Sequence, residues 1–464
     1  NDEQLREELW ETLFRRLSNN SQSNETECLA TLRMLRMLHS LRACSTQGPS
    51  VSHLNLVAVV VEALKLLCNL TFNSTRVQEV LPSTSCLPRL IERMRNYNDA
   101  TPQQMMLFET RIVFLITALN KSTQRTVRIE LKGDECLIDM LKNISLRCDQ
   151  HDLNTIEVYS EFVKVQECVS LGEGKRIQLL LSVLYKLLLA KCENEDNLQR
   201  YFTNIANLLT VIPHDCYSTI IPDTEENHKR VFQNADMSAV HVLLKFLDSR
   251  LNCKDDLIGN ICPIVTALIR MVRSERLIRK YARLKILPPL KDVMQRPEEG
   301  TTLRAKLCKL LTFPLTELRD LVAEFLFILC KENVNRMVKY TGYGNAAGMF
   351  ANKGLLGPYK RKPAYSSESE DSETEEYLQH KEQINPVTGC YEQTKPNPLE
   401  GMTEEQKEYE ALQLLSLVDK LTREGVVQPC RIGDDGKPQP IEHVLELQEE
   451  LPKQQYGRRN SDSD

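Results

Sequence analysis

The 464-residue chain lacks the sequence patterns that covalent or metal chemistry needs. It has no HExxH, no Walker loop, no GxSxG, and no Cys/His pair at metal-ligand spacing. Its 8 histidines are dispersed, and a lone one such as His39 or His241 on a helix reads as structural or solvated. No catalytic residue, cofactor or metal is expected. The 15 cysteines stand singly, with no CxxC pair. That spacing excludes a disulfide framework or a zinc site and suits reduced cytosolic thiols filling core gaps. Neither sign of charge dominates: 59 Lys and Arg face 64 Asp and Glu, for a net charge of −5. No global field therefore argues for nucleic acid. No apolar run is long and clean enough to span a bilayer. The most apolar stretch, residues 54–72, carries Glu62, Lys65 and Asn69 and reads as a buried helix. Nothing reads as a sheet, since alternating runs such as residues 126–131 are isolated. The chain starts at Asn1 and not at methionine, so a preceding piece is expected.

What is present is helix upon helix. Four segments share one apolar spacing: Leu87, Leu90, Ile91, Met94; Leu137, Met140, Leu141, Ile144; Val240, Leu243, Leu244, Leu247; and Leu287, Leu290, Met294. Their starts are 50, 103 and 47 residues apart, a period near 50 with one unit skipped. That period with helices throughout is the mark of armadillo or HEAT units. The segments KILPPLKDVM and SCLPRLIERM resemble the second armadillo helix, where proline opens the helix without losing a needed N–H. More apolar helices follow or intervene at 111–119, 177–189, 257–271 and 318–330, and suit the third helix of each unit. The predicted fold is all-α. It is an armadillo/HEAT-type right-handed helical solenoid over residues 1–354, with a long concave groove.

Residues 322–349 read as the closing helix of that body and the exit from it. Gly342, Gly344 and Gly348 form a GxGxxxG, one residue off the dinucleotide fingerprint. That fingerprint must follow a strand, but here the glycines follow a helix and read as a structural turn. Residues 355–402 form an acidic, proline-containing tether with SSESEDSETEE at 366–376, too polar to fold alone. Order returns over 403–425. Thr403 to Gln406 has capping-box spacing, Ala411, Leu414, Leu415, Val418 and Leu421 form a stripe, and Gly425 is a C-terminal stop. Residues 426–464 read as a mostly disordered tail with a short helix at 441–451.

Three constellations carry alternatives. Ser367 and Ser372 have Glu370 and Glu375 three residues on, which suits an acidophilic kinase, or else a merely solvated linker. Arg270, Arg273, Arg276, Arg279, Lys280, Arg283 and Lys285, then Arg304, Lys306 and Lys309, are either solvated helix faces or a dock for a phosphorylated tether. Nucleic acid is disfavoured because no aromatics interleave with them. Asn69, in ALKLLCNLTF, is a groove amide or a hydrogen-bonded core residue.

The segments AEFLF at 323–327, KYTGYGNAAG at 339–348, INPVTG at 384–389 and NPLEGMTEEQKE at 397–408 resemble the synembryn family (resistance to inhibitors of cholinesterase 8). The resemblance covers nearly the whole chain and is specific from about residue 318 to 419. It implies a protein that binds GDP-bound, nascent or nucleotide-free G-protein α subunits, assists their folding and speeds nucleotide release. It implies that Asn69 contacts the α subunit's C-terminus, with Arg33 and its neighbour Arg36 beside it. It implies phosphorylation at Ser367 and Ser372. The dock read from the basic residues is then Arg304, Lys306 and Lys309, or else Arg276, Arg279 and Arg283. A neuronal calcium sensor is a further implied partner. The implied location is cytoplasmic, with recruitment to the cell cortex or plasma membrane. The competing class is an armadillo peptide-binding adaptor without exchange activity.

Overall fold

A computed structural model describes residues 51–98, 100–147, 174–190, 195–225, 230–253, 256–356, 373–393, 399–433 and 435–441. The chain divides into two compact units, Asn1–Phe246 and Leu247–Asp464. Helices dominate both.

In the first unit, α1 is Val51–Asn73, α2 Thr75–Val80, α3 Cys86–Arg95 and α4 Gln103–Leu119. Then come α5 Lys121–Arg125, α6 Gly133–Arg147, α7 Gly174–Leu189 and α8 Glu195–Val211. Helix α1 packs on α4, α3 on α6, and α6 on α7. The repeated apolar positions of α3 and the first three of α6 are buried. Where helices start, side chains take up orphan N–H groups: Ser74 accepts from Val77 and Asn120 from Ser122. The buried carboxylate of Glu109 is satisfied on both sides. Arg93 Nε donates to it at 2.8 Å and the Tyr97 hydroxyl at 2.6 Å. Burial, with the Glu109 charge beside it, pushes the Tyr97 hydroxyl well above its ordinary range.

Residues 126–131 are not extended. Thr126–Glu130 is a π-helical turn. The expectation of no sheet also fails locally, because β1 (Val231–Phe232) and β2 (Ala235–Asp236) pair as a hairpin. Its turn is set by Gln233 and Asn234 at positive φ and not by apolar alternation, so periodicity could not reveal it. Helix α9, Ser238–Arg250, crosses the unit boundary with Val240, Leu243, Leu244 and Leu247 buried.

The second unit holds α10 Leu257–Ser274, α11 Arg276–Ile286, α12 Leu303–Leu310 and α13 Thr316–Leu329. Helices α14 Val334–Thr341 and α15 Tyr343–Asn352 follow. Helix α13 touches all five of these neighbours and buries Leu318, Val322, Phe325, Leu326, Phe327, Ile328 and Leu329. Helix α10 is long and apolar enough to cross a membrane by length and composition. Here it is a core helix packed on α11 and α13.

Three expectations are corrected in this unit. First, the fourth repeat segment is not a helix. The chain leaves α11 at Leu287, and residues 287–296 are irregular. Pro288 and Pro289 disfavour helical backbone in the residues before them. Leu287, Leu290 and Val293 are nonetheless buried, while Met294 is 54 % exposed.

Second, residues 322–349 are central, not an exit. Residues 330–333 separate α13 from α14; among the three glycines only Gly342, at φ 74, breaks the helix, and α15 runs on through Gly344 and Gly348.

Third, part of the expected tether is folded against the unit. Residues 373–392 form α16 (Glu375–His380) and a hairpin of β3 (Ile384–Asn385) and β4 (Cys390–Tyr391). Backbone hydrogen bonds hold this part, with Tyr377 and Cys390 buried beside them. The break at Gly342 leaves the first N–H groups of α15 without helical partners. Tyr343 N donates to Pro386 O at 2.8 Å, and Gly344 N to Val387 O at 2.9 Å. The irregular stretch after α11 supplies carbonyls: Tyr391 N donates to Val293 O at 2.7 Å, and the Thr374 hydroxyl donates to Leu290 O. The KYTGYGNAAG and INPVTG segments thus lie against each other.

Helix α17, Glu404–Arg423, has a full capping box between Thr403 and Gln406. It ends at Gly425, φ 71, with Val426 N reaching back to Leu421 O at 2.9 Å. Within the stretch read as a disordered tail, β5 (Cys430–Ile432) pairs with β6 (Pro438–Pro440). Residues 442–451, read as a short helix, lie outside the described residues.

Candidate partner-binding surfaces

Asn69 is exposed on α1. Its backbone carbonyl accepts from Asn73 Nδ2 at 2.9 Å. Of the two readings of this residue, the core-satisfied one fails. Lys65, Asn69 and Phe72 stand at i, i+4 and i+7 and share a helix face. Phe72 is 66 % exposed. On α4, Phe108 and Arg111 stand at i and i+3. Lys65 Nζ lies 5.5 Å and Arg111 Cζ 5.8 Å from the Phe108 ring centre, so two cations flank one half-buried aromatic. The surface offers an amide, two guanidinium or ammonium groups and exposed aromatic area. Such a set suits a peptide with apolar side chains and a carboxylate. Sequence reading missed Lys65, Phe72, Phe108 and Arg111. The i+3 spacing from Asn69 could have pointed to Phe72, but nothing in sequence links α1 to α4. Arg33 and Arg36 lie outside the described residues.

Helix α17 is the second surface. None of its residues is buried. Leu414 is 62 % and Leu415 42 % exposed, while Val418 and Leu421 are half-buried. Leu412, Leu417 and Tyr409, off the expected stripe, are also exposed. The apolar surface therefore spreads around more than one side of the helix.

The basic residues are placed unevenly. On α12, Lys309 is exposed and Arg304 half-buried, but Lys306 is engaged with Asp248 at 2.6 Å. Of the alternative set, Arg283 is buried and Arg279 donates to Val272 O at 2.7 Å. Ser367 and Ser372 lie outside the described residues. Where the acidic run re-enters, Glu373 meets Lys381 at 3.1 Å and Lys339 at 3.5 Å, not α12. The Lys381 hydrogen bond, helped by the nearby Lys339 charge, holds the Glu373 carboxyl below its usual range. Lys339 also lies 4.3 Å over the Tyr377 ring. No sequence signal singled it out.

Among the described residues, no group of three or more His, Cys, Asp or Glu could hold a metal. The described cysteines are all free, and burial pushes the Cys308 thiol up to about 12 and the Cys136 thiol to about 11. Cys308 and Cys136 are inert core thiols, whereas Cys430 is exposed.

The sequence profile of the family described as "Guanine nucleotide exchange factor synembryn" (Ric8) matches residues 2–437. The chain belongs to the synembryn family. Among its relatives, Chaperone Ric-8A of Xenopus tropicalis is 38% identical over 427 residues, covering 87% of this chain and 79% of that protein. Chaperone Ric-8 of Drosophila pseudoobscura pseudoobscura is 40% identical over 449 residues, covering 89% and 78%. Chaperone Ric-8A of Danio rerio is 36% identical over 512 residues, covering 100% and 92%. The synembryn match includes both α1 and α17, so both surfaces fall within the family's shared extent.

Proposed function

We propose that the chain is a chaperone and guanine nucleotide exchange factor for G-protein α subunits, working by binding and not by making or breaking covalent bonds. The observation that carries this is α17, a fully capped helix with five large exposed apolar side chains and no buried residue. The α1–α4 face holds the α subunit's C-terminal helix, with Asn69 and the Lys65–Phe108–Arg111 group as contacts and Arg33 and Arg36 beside them. Withdrawing that helix from its own domain loosens the guanine-binding loop. Helix α17 holds the opened, nucleotide-free subunit through Leu414, Leu415, Val418 and Leu421. The helical units stack as an armadillo-type solenoid that presents the first surface on its concave side. Preferential binding of the open state is sufficient. A preference of about 5.5 kcal/mol carries an equilibrium from 1:99 to 99:1. Phosphorylation of Ser367 and Ser372 strengthens docking of the acidic run, since each phosphate adds roughly −1.5 to −2 charge. The protein acts in the cytoplasm and at the cell cortex.

GDP release from a panel of α subunits, at substoichiometric protein, tests the reading. Faster release from at least one α class is expected. Binding without acceleration would make the chain an adaptor.

A further inference from the structure

The hairpin that follows α17 has no part in the reading above, and it meets the end of α15 through backbone. All residues of β5 and β6 are exposed, so apolar burial does not place the strands. Their register is Cys430 with Pro440, Arg431 with Gln439 and Ile432 with Pro438. Pro438 and Pro440 cannot donate outward, so this edge does not recruit a further strand. The turn of the hairpin meets the end of α15 at two glycines. Leu356 N donates to Gly436 O at 3.2 Å. Gly436 has φ 71 and Gly354 φ 66, a backbone region that favours glycine at both positions. A Cβ on Gly436 would collide with the Gly354 carbonyl, and one on Gly354 with the Asp435 carbonyl. Ile441, the last described residue, is buried, and its N–H donates to Pro429 O at 3.1 Å. Ahead of α17, Tyr391 N is bound to Val293 O at 2.7 Å. The chain is therefore fastened to the second unit both before and after the helix.

We propose that residues 429–441 are a clasp that makes α17 a strap held at both ends, with Gly354 and Gly436 as positioning residues for capture. A helix on a single flexible arm explores a wide volume. One closed into a loop keeps a high effective concentration of its apolar surface near the unit that bears it. This rests on the reading of α17 as the capture helix.

The test compares the full chain with three variants. Gly436→Ala adds the colliding Cβ. A chain ended after Gln428 keeps α17 and its Gly425 stop but loses the clasp. Gly425→Ala is the matched control: Gly425 also has φ 71, but nothing lies within 4 Å of a Cβ there. Hydrogen exchange at the Leu356 amide reports the clasp, and retention of nucleotide-free α subunit reports capture. Gly436→Ala and the shortened chain should each speed Leu356 exchange and weaken capture by on the order of tenfold, with the melting of the body unchanged. Gly425→Ala should leave Leu356 protection intact. Undiminished Leu356 protection in the shortened chain, or capture equal to that of the full chain, would overturn the clasp. If the full chain captures no α subunit, the proposed function falls, while the exchange comparison still judges the clasp.

Discussion

Helices α1 and α17 are of similar length, 23 and 20 residues, and stand in opposite surroundings. Helix α1 buries Val60, Val61, Leu64, Leu66, Leu67, Cys68 and Thr71 against neighbours that include α4, and has no acidic residue in its first turn or basic one in its last. Helix α17 buries nothing, yet has a capping box, Glu404 and Glu405 at its start and Lys420 and Arg423 at its end. The difference teaches where helicity comes from. A helix with a packed neighbour can do without termini tuned to its dipole. A helix with no buried residue relies on caps and dipole-matched charge to persist.

The comparison breaks hardest at the neighbour on which α1 depends. Glu109→Ala in α4 strands Arg93 and removes the Tyr97 acceptor, and should cost about 3–5 kcal/mol in denaturant unfolding. Unchanged stability would mean that the α1–α4 pair does not rely on this ion pair. The same substitution in each helix sharpens the contrast. Leu67→Ala in α1 should cost about 2–5 kcal/mol. Leu414→Ala in α17 should stay within about 0.5 kcal/mol while weakening capture of nucleotide-free α subunit. Equal stability losses would show that α17 is packed in solution.

Next comes the cap. Thr403→Ala should remove about 1 kcal/mol from α17, seen as faster exchange at the Gln406 amide, with the melting of the body unmoved. On α1, Asn69→Ala should change stability by less than about 0.5 kcal/mol and lower α-subunit affinity. A large drop in melting temperature at unchanged affinity per folded molecule would return Asn69 to a structural role. The smallest effect concerns Glu373. Its carboxyl is held below the ordinary value, so its contribution is complete above about pH 4.5 and is lost as pH falls through the depressed folded value. Protection of the Tyr377 amide, capped by Thr374 Oγ1 at 3.2 Å, should fall over that range after correction for intrinsic rates. Glu373→Gln should flatten the profile, and an unaltered profile in that variant would assign the transition to another carboxylate.

Legibility in the sequence followed the range of the interactions. The stripe of α3 (Leu87, Leu90, Ile91, Met94), the apolar run of α13 and both ends of α17 were readable, because i, i+3, i+4 spacing and caps are local. The exposure of Asn69 was readable only as one of two options. Residues 287–294 misled, since Leu287, Leu290 and Met294 keep helical spacing while Pro288 and Pro289 disfavour helical backbone in the residues before them. The exposed Leu412 and Leu417 went unread because spacing does not say which apolar residues find a neighbour.

The sequence by itself determined that the chain is mostly helical, and where α17 starts and stops. Those follow from residues a few positions apart. Only the tertiary structure decided that Phe108 on α4 stands between Lys65 and Arg111. It alone decided that residues 384–391 satisfy the N–H groups freed at Gly342, and that Gly436 meets Gly354. Each of these joins groups distant along the chain through backbone or ring contacts that leave no periodic trace in the residues between them.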